Sequence, residues 1–169
     1  MPTIGLAIAI PEPWATELQD YRTSVGDTTA TQIPTHITLV PPTDVPDEEL
    51  GAVSSHLADA AASVSPFDIH LRGTGTFRPV SPVVFVTVAE GISGCEVLAG
   101  AVRRGPLEVD LHFPYHPHVT IAHHLDDEAL DRAFEELAEF ECRFGVGAFS
   151  LYVHDADAGW QVTDHYELG

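Results

Sequence analysis

The chain has 169 residues, with 26 acidic side chains against seven arginines and no lysine, for a formal charge of −19. That length suits one domain with a real core. The charge excludes a protein that coats long nucleic acid, since such binding rests on Lys and Arg neutralising phosphates.

The opening "MPTIGLAIAI" lacks a basic flank, so Ile4–Ile10 reads as a buried strand rather than a signal peptide. Pro11 and Pro13 end it and suit a helix start, and Trp14, Leu18, Tyr21 and Val25 keep helical spacing. The loop "GDTTATQ" leads to a strand predicted over Thr35–Val40 and stopped by Pro41 and Pro42. Asp47, Glu48 and Glu49 place acids in the first turn of a helix that continues to about Ser63. Phe67–Phe77 alternates as a strand, with Gly73 and Gly75 marking a bulge or bend.

The second half follows the same order. Val83–Val88 reads as a strand, Ile92–Arg104 as a helix, His118–His123 as a strand, and Asp126 opens a helix to about Ala138. Phe140–Phe149 is expected as one strand ending in "GAF", where the first half has "GTF". Ser150–Leu168 reads as a closing hairpin around "DADAG". The halves therefore read as a duplicated β-α-β-α-β unit, with pseudo-repeats of about 1–80 and 81–169 in one bilobal domain. No apolar run approaches the roughly 20 residues of a membrane span. Cys95 and Cys142 are too few for a disulfide framework, so a reduced cytoplasm is expected.

One short phrase recurs in the repeat. "IPTHITLVPP" and "YHPHVTIAHH" each hold a His-x-Thr triplet, at His36 and His118. With 10 His in the chain, roughly one such triplet is expected by chance, so the matched placement in the repeat is the stronger signal. On a strand, residues i and i+2 share a face. His36 projects with Thr38, and His118 with Thr120, while Ile37, Leu39, Val119 and Ile121 turn to the other side. Two imidazoles can then serve as a general acid and a general base. The two hydroxyls can hold a phosphate's non-bridging oxygens. No metal or cofactor is needed for such chemistry.

These two segments resemble the signatures of the 2H phosphoesterase superfamily, in its 2′-5′ RNA ligase-like branch, and the resemblance spans essentially the whole chain. It implies an α+β bilobal fold in which two antiparallel sheets flank a central cleft, with helices on the outside. It implies hydrolysis of 2′,3′-cyclic or 2′-5′-linked ribose phosphates, with reversible ligation among the family's activities. His36 and His118 become the acid/base pair, and Thr38 and Thr120 the phosphate-binding hydroxyls. Many relatives carry an Arg or Lys shortly after the second motif, where this chain has His123 and His124. The expected substrate is a small nucleotide or RNA terminus with a cyclic or 2′-linked phosphate. Neither long nucleic acid nor a membrane is an expected partner, and the chain is read as a monomer.

Arg78 and Tyr115 are candidate substrate contacts: the first could supply positive charge to the cleft, and the second could stack on a base. Phe77 and the two cysteines read as core residues. His112, His116, His118, His123 and His124 form a dense run, but no Cys or carboxylate is spaced to complete a zinc site with them. A rival reading from another class is a non-catalytic module that holds a nucleotide or RNA end in the same cleft. A third is an interaction protein with a vestigial cleft.

Overall fold

Alternation along the first strand sets the architecture. Ile4, Leu6 and Ile8 are buried at 2% exposure or less, while Gly5, Ala7 and Ala9 occupy the opposite face. In the computed structural model, which describes residues 1–108 and 114–169 apart from the side chain of Thr31, this strand is β1 (Thr3–Ala9). It is followed by α1 (Trp14–Ser24), β2 (His36–Asp44), α2 (Leu50–Ala62) and β3 (Phe67–Thr76). The second half supplies β4 (Val83–Glu90), α3 (Ile92–Val102), β5 (His118–His123) and α4 (Asp127–Glu136). The strands β6 (Glu141–Val146), β7 (Ala148–Asp155) and β8 (Gly159–Glu167) complete the chain.

The strands form two four-stranded antiparallel sheets, ordered β2-β1-β7-β8 and β5-β4-β3-β6. Each sheet mixes strands from both halves of the chain: β1 and β2 join β7 and β8 in one, and β3 joins β4, β5 and β6 in the other. Helices cross between halves as well. The first-half helix α1 contacts β5, and the second-half helix α3 contacts β2. This is the expected bilobal α+β arrangement. Among the described residues no helix is long and apolar enough to cross a membrane.

Two expectations are corrected. Strand β2 does not stop at Pro41 and Pro42 but runs through both to Asp44. It lies at a sheet edge, where a residue without an N–H leaves no ladder partner wanting. The strand expected over Phe140–Phe149 is two strands in different sheets, divided at Gly147. "GTF" closes β3 whereas "GAF" opens β7, so the two phrases do not mark equivalent places. The bulge expected at Gly73 is present, and the β3–β4 register slips between Leu71 and Thr74.

Burial locks the faces of the two motif strands. Ile37, Leu39, Val119 and Ile121 are at most 1% exposed. Each such side chain contributes about 1.5–3 kcal/mol on burial. A one-residue slip would expose all four and drive imidazoles into the core. His36, Thr38, His118 and Thr120 are therefore held on the opposite, half-buried face.

Candidate active site

Strands β2 and β5 are the edge strands of their sheets, and they contact one another. His36 opens one and His118 opens the other. Both rings are oriented in the same way. The Nδ1–H of His36 donates to the carbonyl of Pro34 at 2.8 Å, and that of His118 donates to the carbonyl of His116 at 2.7 Å. A carbonyl only accepts, so each Nδ1 keeps its proton and each Nε2 is the atom that can take or give one.

The two motifs differ in what stands beside them. His36 and Thr38 pair across the ladder with Ala9 and Ala7, whose small side chains leave space. A hollow of about 90 Å³ lies there, walled by Tyr152 and Trp160. His118 and Thr120 pair with Thr87 and Phe85. The Phe77 ring meets His118 edge-on with centroids 4.9 Å apart, and Phe85 lies 5.2 Å away. A Cβ on Gly75 would stand 2.6 Å from the Phe85 ring, so only glycine lets that aromatic wall close.

A cleft of about 540 Å³ runs along this junction, lined by His36, Thr120 and His123 together with Arg22, Thr29 and Trp160. Thr38 lines the smaller hollow that shares His36 with it. His118 belongs to the Phe77–Phe85 packing rather than to the described wall of the larger cleft. The imidazoles still sense each other. Burial lowers the His36 pKa to about 4, with the charges of Arg22 and His118 adding to the effect and the Pro34 hydrogen bond opposing it. Burial also lowers His118 below its ordinary value, against its bond to His116. His36 keeps an open surface toward the cleft, yet protein encloses it on the other sides, and a charge there is poorly solvated.

The remaining sequence candidates fall elsewhere. Arg78 donates to Asp131 at 2.8 Å and lies 3.7 Å from Asp127, in a separate depression that it lines with them. The Tyr115 hydroxyl donates to the backbone carbonyl of Thr38 at 2.7 Å, and Arg103 lies over its ring. That tyrosine ties the approach to β5 onto β2. Cys95 and Cys142 are buried and unpaired. His123 packs on His124 with ring centroids 3.6 Å apart, and burial foremost lowers its pKa. His112 lies outside the described residues, among which no three His, Cys, Asp or Glu side chains are grouped for a metal.

Sequence reasoning missed Arg22, Thr29 and Trp160 as cleft residues. A signal for Arg22 was available: it follows Leu18 by four residues, on the buried stripe of α1. Trp160 opens onto the cleft from the far strand of the sheet, a position that only the β7–β8 pairing reveals.

Two sheets abutting at His-x-Thr strands match the architecture implied by the motif resemblance. The chain belongs to the 2′-5′ RNA ligase superfamily, whose family model matches residues 10–158. A Bacillus cytotoxicus protein provisionally named a phosphoesterase is 28% identical over 81% of this chain and 80% of its own length. A Staphylococcus haemolyticus protein with the same provisional name is 26% identical over 98% of both. Among solved structures, E. coli LigT complexed with 3′-AMP covers 99% of each chain with a TM-score of 0.67 at 19% identity, a likeness of fold.

Proposed function

We propose that the chain is a metal-independent phosphoesterase that opens a 2′,3′-cyclic or 2′-5′-linked ribose phosphate. The observation that carries this reading is the matched orientation of His36 and His118, each with Nδ1–H on a carbonyl and Nε2 left for proton transfer. His36, neutral above about pH 4, is the general base: its Nε2 takes a proton from water as the water oxygen attacks phosphorus. His118, when protonated, is the general acid: its Nε2–H is given to the ribose oxygen as the P–O bond breaks. Water adds across one P–O bond, leaving a phosphomonoester and a free ribose hydroxyl. The Thr38 and Thr120 hydroxyls donate to the non-bridging oxygens.

A small product-like ligand fits this chemistry. 3′-AMP, held by E. coli LigT, is a phosphomonoester of the kind that opening 2′,3′-cyclic AMP yields. Two buried, unpaired cysteines suit a reduced cytoplasm, and a cleft built within one chain suits action as a monomer. Turnover of a 2′,3′-cyclic nucleotide in excess chelator tests the reading.

A further inference from the structure

A strongly acidic chain must concentrate positive charge to hold an anionic substrate. Among the described residues that line the cleft, Arg22 alone carries a permanent positive charge. His123, whose pKa is lowered, leaves that role open near neutral pH.

The end of α1 builds the arginine's setting. Gly26, at φ 96°, turns the chain in the left-handed region. Its N–H donates to the carbonyl of Thr23 at 3.2 Å, and the N–H of Asp27 donates to that of Arg22 at 3.0 Å. This paired closure is a Schellman turn, and it brings Asp27 back to the arginine, which follows the core-facing Leu18 by four residues. Arg22 donates through Nε and Nη2 to Asp27 Oδ2 at 3.0 and 2.7 Å, and through Nη2 to Thr29 Oγ1 at 3.3 Å. The other carboxylate oxygen accepts the Thr29 N–H and hydroxyl at 3.0 and 2.6 Å.

Asp27 Oδ2 thus occupies one edge of the guanidinium, and Oδ1 is taken up by Thr29. The opposite nitrogen, Nη1, donates to none of the described residues, although the side chain is only 4% exposed. Nor is it sealed from solvent: among the described residues only the Tyr21 hydroxyl is buried without a partner. A guanidinium nearly buried yet unsatisfied on the side of a polar cleft lacks an acceptor, and phosphate oxygens suit that fork.

We infer that Arg22, clamped by Asp27 and Thr29, is the binding residue that receives the substrate's phosphate through its free edge. The inference rests on the phosphoesterase reading for the identity of the substrate, but not for the anion site itself. It also accounts for a second motif followed by His123 rather than a cation.

The test compares wild type, Asp27→Asn and the double variant Arg22→Met/Asp27→Asn in calorimetric titrations with inorganic phosphate. The double variant removes both charges together, so no orphan ion is left in the interior. Asp27→Asn keeps an amide oxygen to accept from Arg22 while removing the neutralising charge, so the folded variant should bind phosphate at least as tightly as wild type. The double variant should bind at least 10-fold more weakly. A merely structural pair would leave both folded variants with wild-type phosphate affinity. In the unaltered protein, the Arg22 side-chain ¹⁵N resonances should shift and saturate with phosphate. Wild-type affinity in a folded double variant, or unmoved Arg22 resonances, would overturn the inference. If phosphate follows the expected pattern but no cyclic nucleotide is turned over, the anion site stands and the phosphoesterase reading falls.

Discussion

The Nδ1–H of His36 rests on the carbonyl oxygen of Pro34 at 2.8 Å, two residues back along its own chain. His118 repeats the relationship with His116. Because both tautomers are set by the backbone, neither ring needs a carboxylate partner to present Nε2. Replacing either histidine by alanine should lower the rate roughly 10²–10⁴-fold, the usual contribution of a general acid or base. The double variant should lose far less than the product of the two losses, since the pair works as a unit. Steady-state kinetics on the three folded variants checks this, and a full multiplicative loss would separate the two rings.

The hydroxyls are tested separately. Thr38→Val and Thr120→Val should each weaken substrate binding by about 10–100-fold, the worth of one hydrogen bond to a charged group. Circular dichroism should show an unchanged fold, because both side chains lie on the half-buried face rather than in the core.

The pH profile follows from the two lowered imidazole pKa values. The base must be unprotonated, so the acid limb of kcat/KM should lie near pH 4, where His36 titrates. The acid must be protonated, and His118 is lowered, so activity should fall as pH rises through a value below the ordinary 6.5. The expected bell is centred on the acid side of neutrality. A kcat/KM maximum above pH 7 would contradict the assignment of roles.

Much of this arrangement was legible in the sequence. Alternation around His36 and His118 placed Ile37, Leu39, Val119 and Ile121 in the core, because period-two burial is a local property. Pro41 and Pro42 misled because their effect depends on β2 being an edge strand, which is a property of the sheet. The break at Gly147 was hidden for the same reason: a strand that changes sheets keeps its alternation. Arg22 and Trp160 reach the cleft through a helix end and the last strand. Only the tertiary pairing brings them beside the motifs.

The Arg22–Asp27 pair also bears on stability. Burial by itself would raise the Asp27 pKa, but hydrogen bonds from Thr29 and Arg22 and the arginine's charge outweigh it and hold it below its usual range. A carboxyl lowered on folding contributes stability above its unfolded pKa, near 3.9, and loses it as pH falls through the folded value. Arg22→Met alone should cost about 3–5 kcal/mol at pH 7 by stranding a buried carboxylate. Adding Asp27→Asn should recover part of that loss. Urea unfolding of both variants measures the difference, and equal stability would mean that the carboxylate is solvated once the arginine is gone.

The central claim is that two imidazoles and two hydroxyls, without a metal, open a cyclic ribose phosphate. Its most direct test follows a 2′,3′-cyclic nucleotide by ³¹P NMR in excess EDTA, with wild type beside His36→Ala and His118→Ala. Wild type should convert the cyclic-phosphate signal to a monoester signal, and both variants should leave it nearly unchanged. Wild-type conversion that stops in EDTA and returns with zinc, or that persists in either histidine variant, would contradict the account.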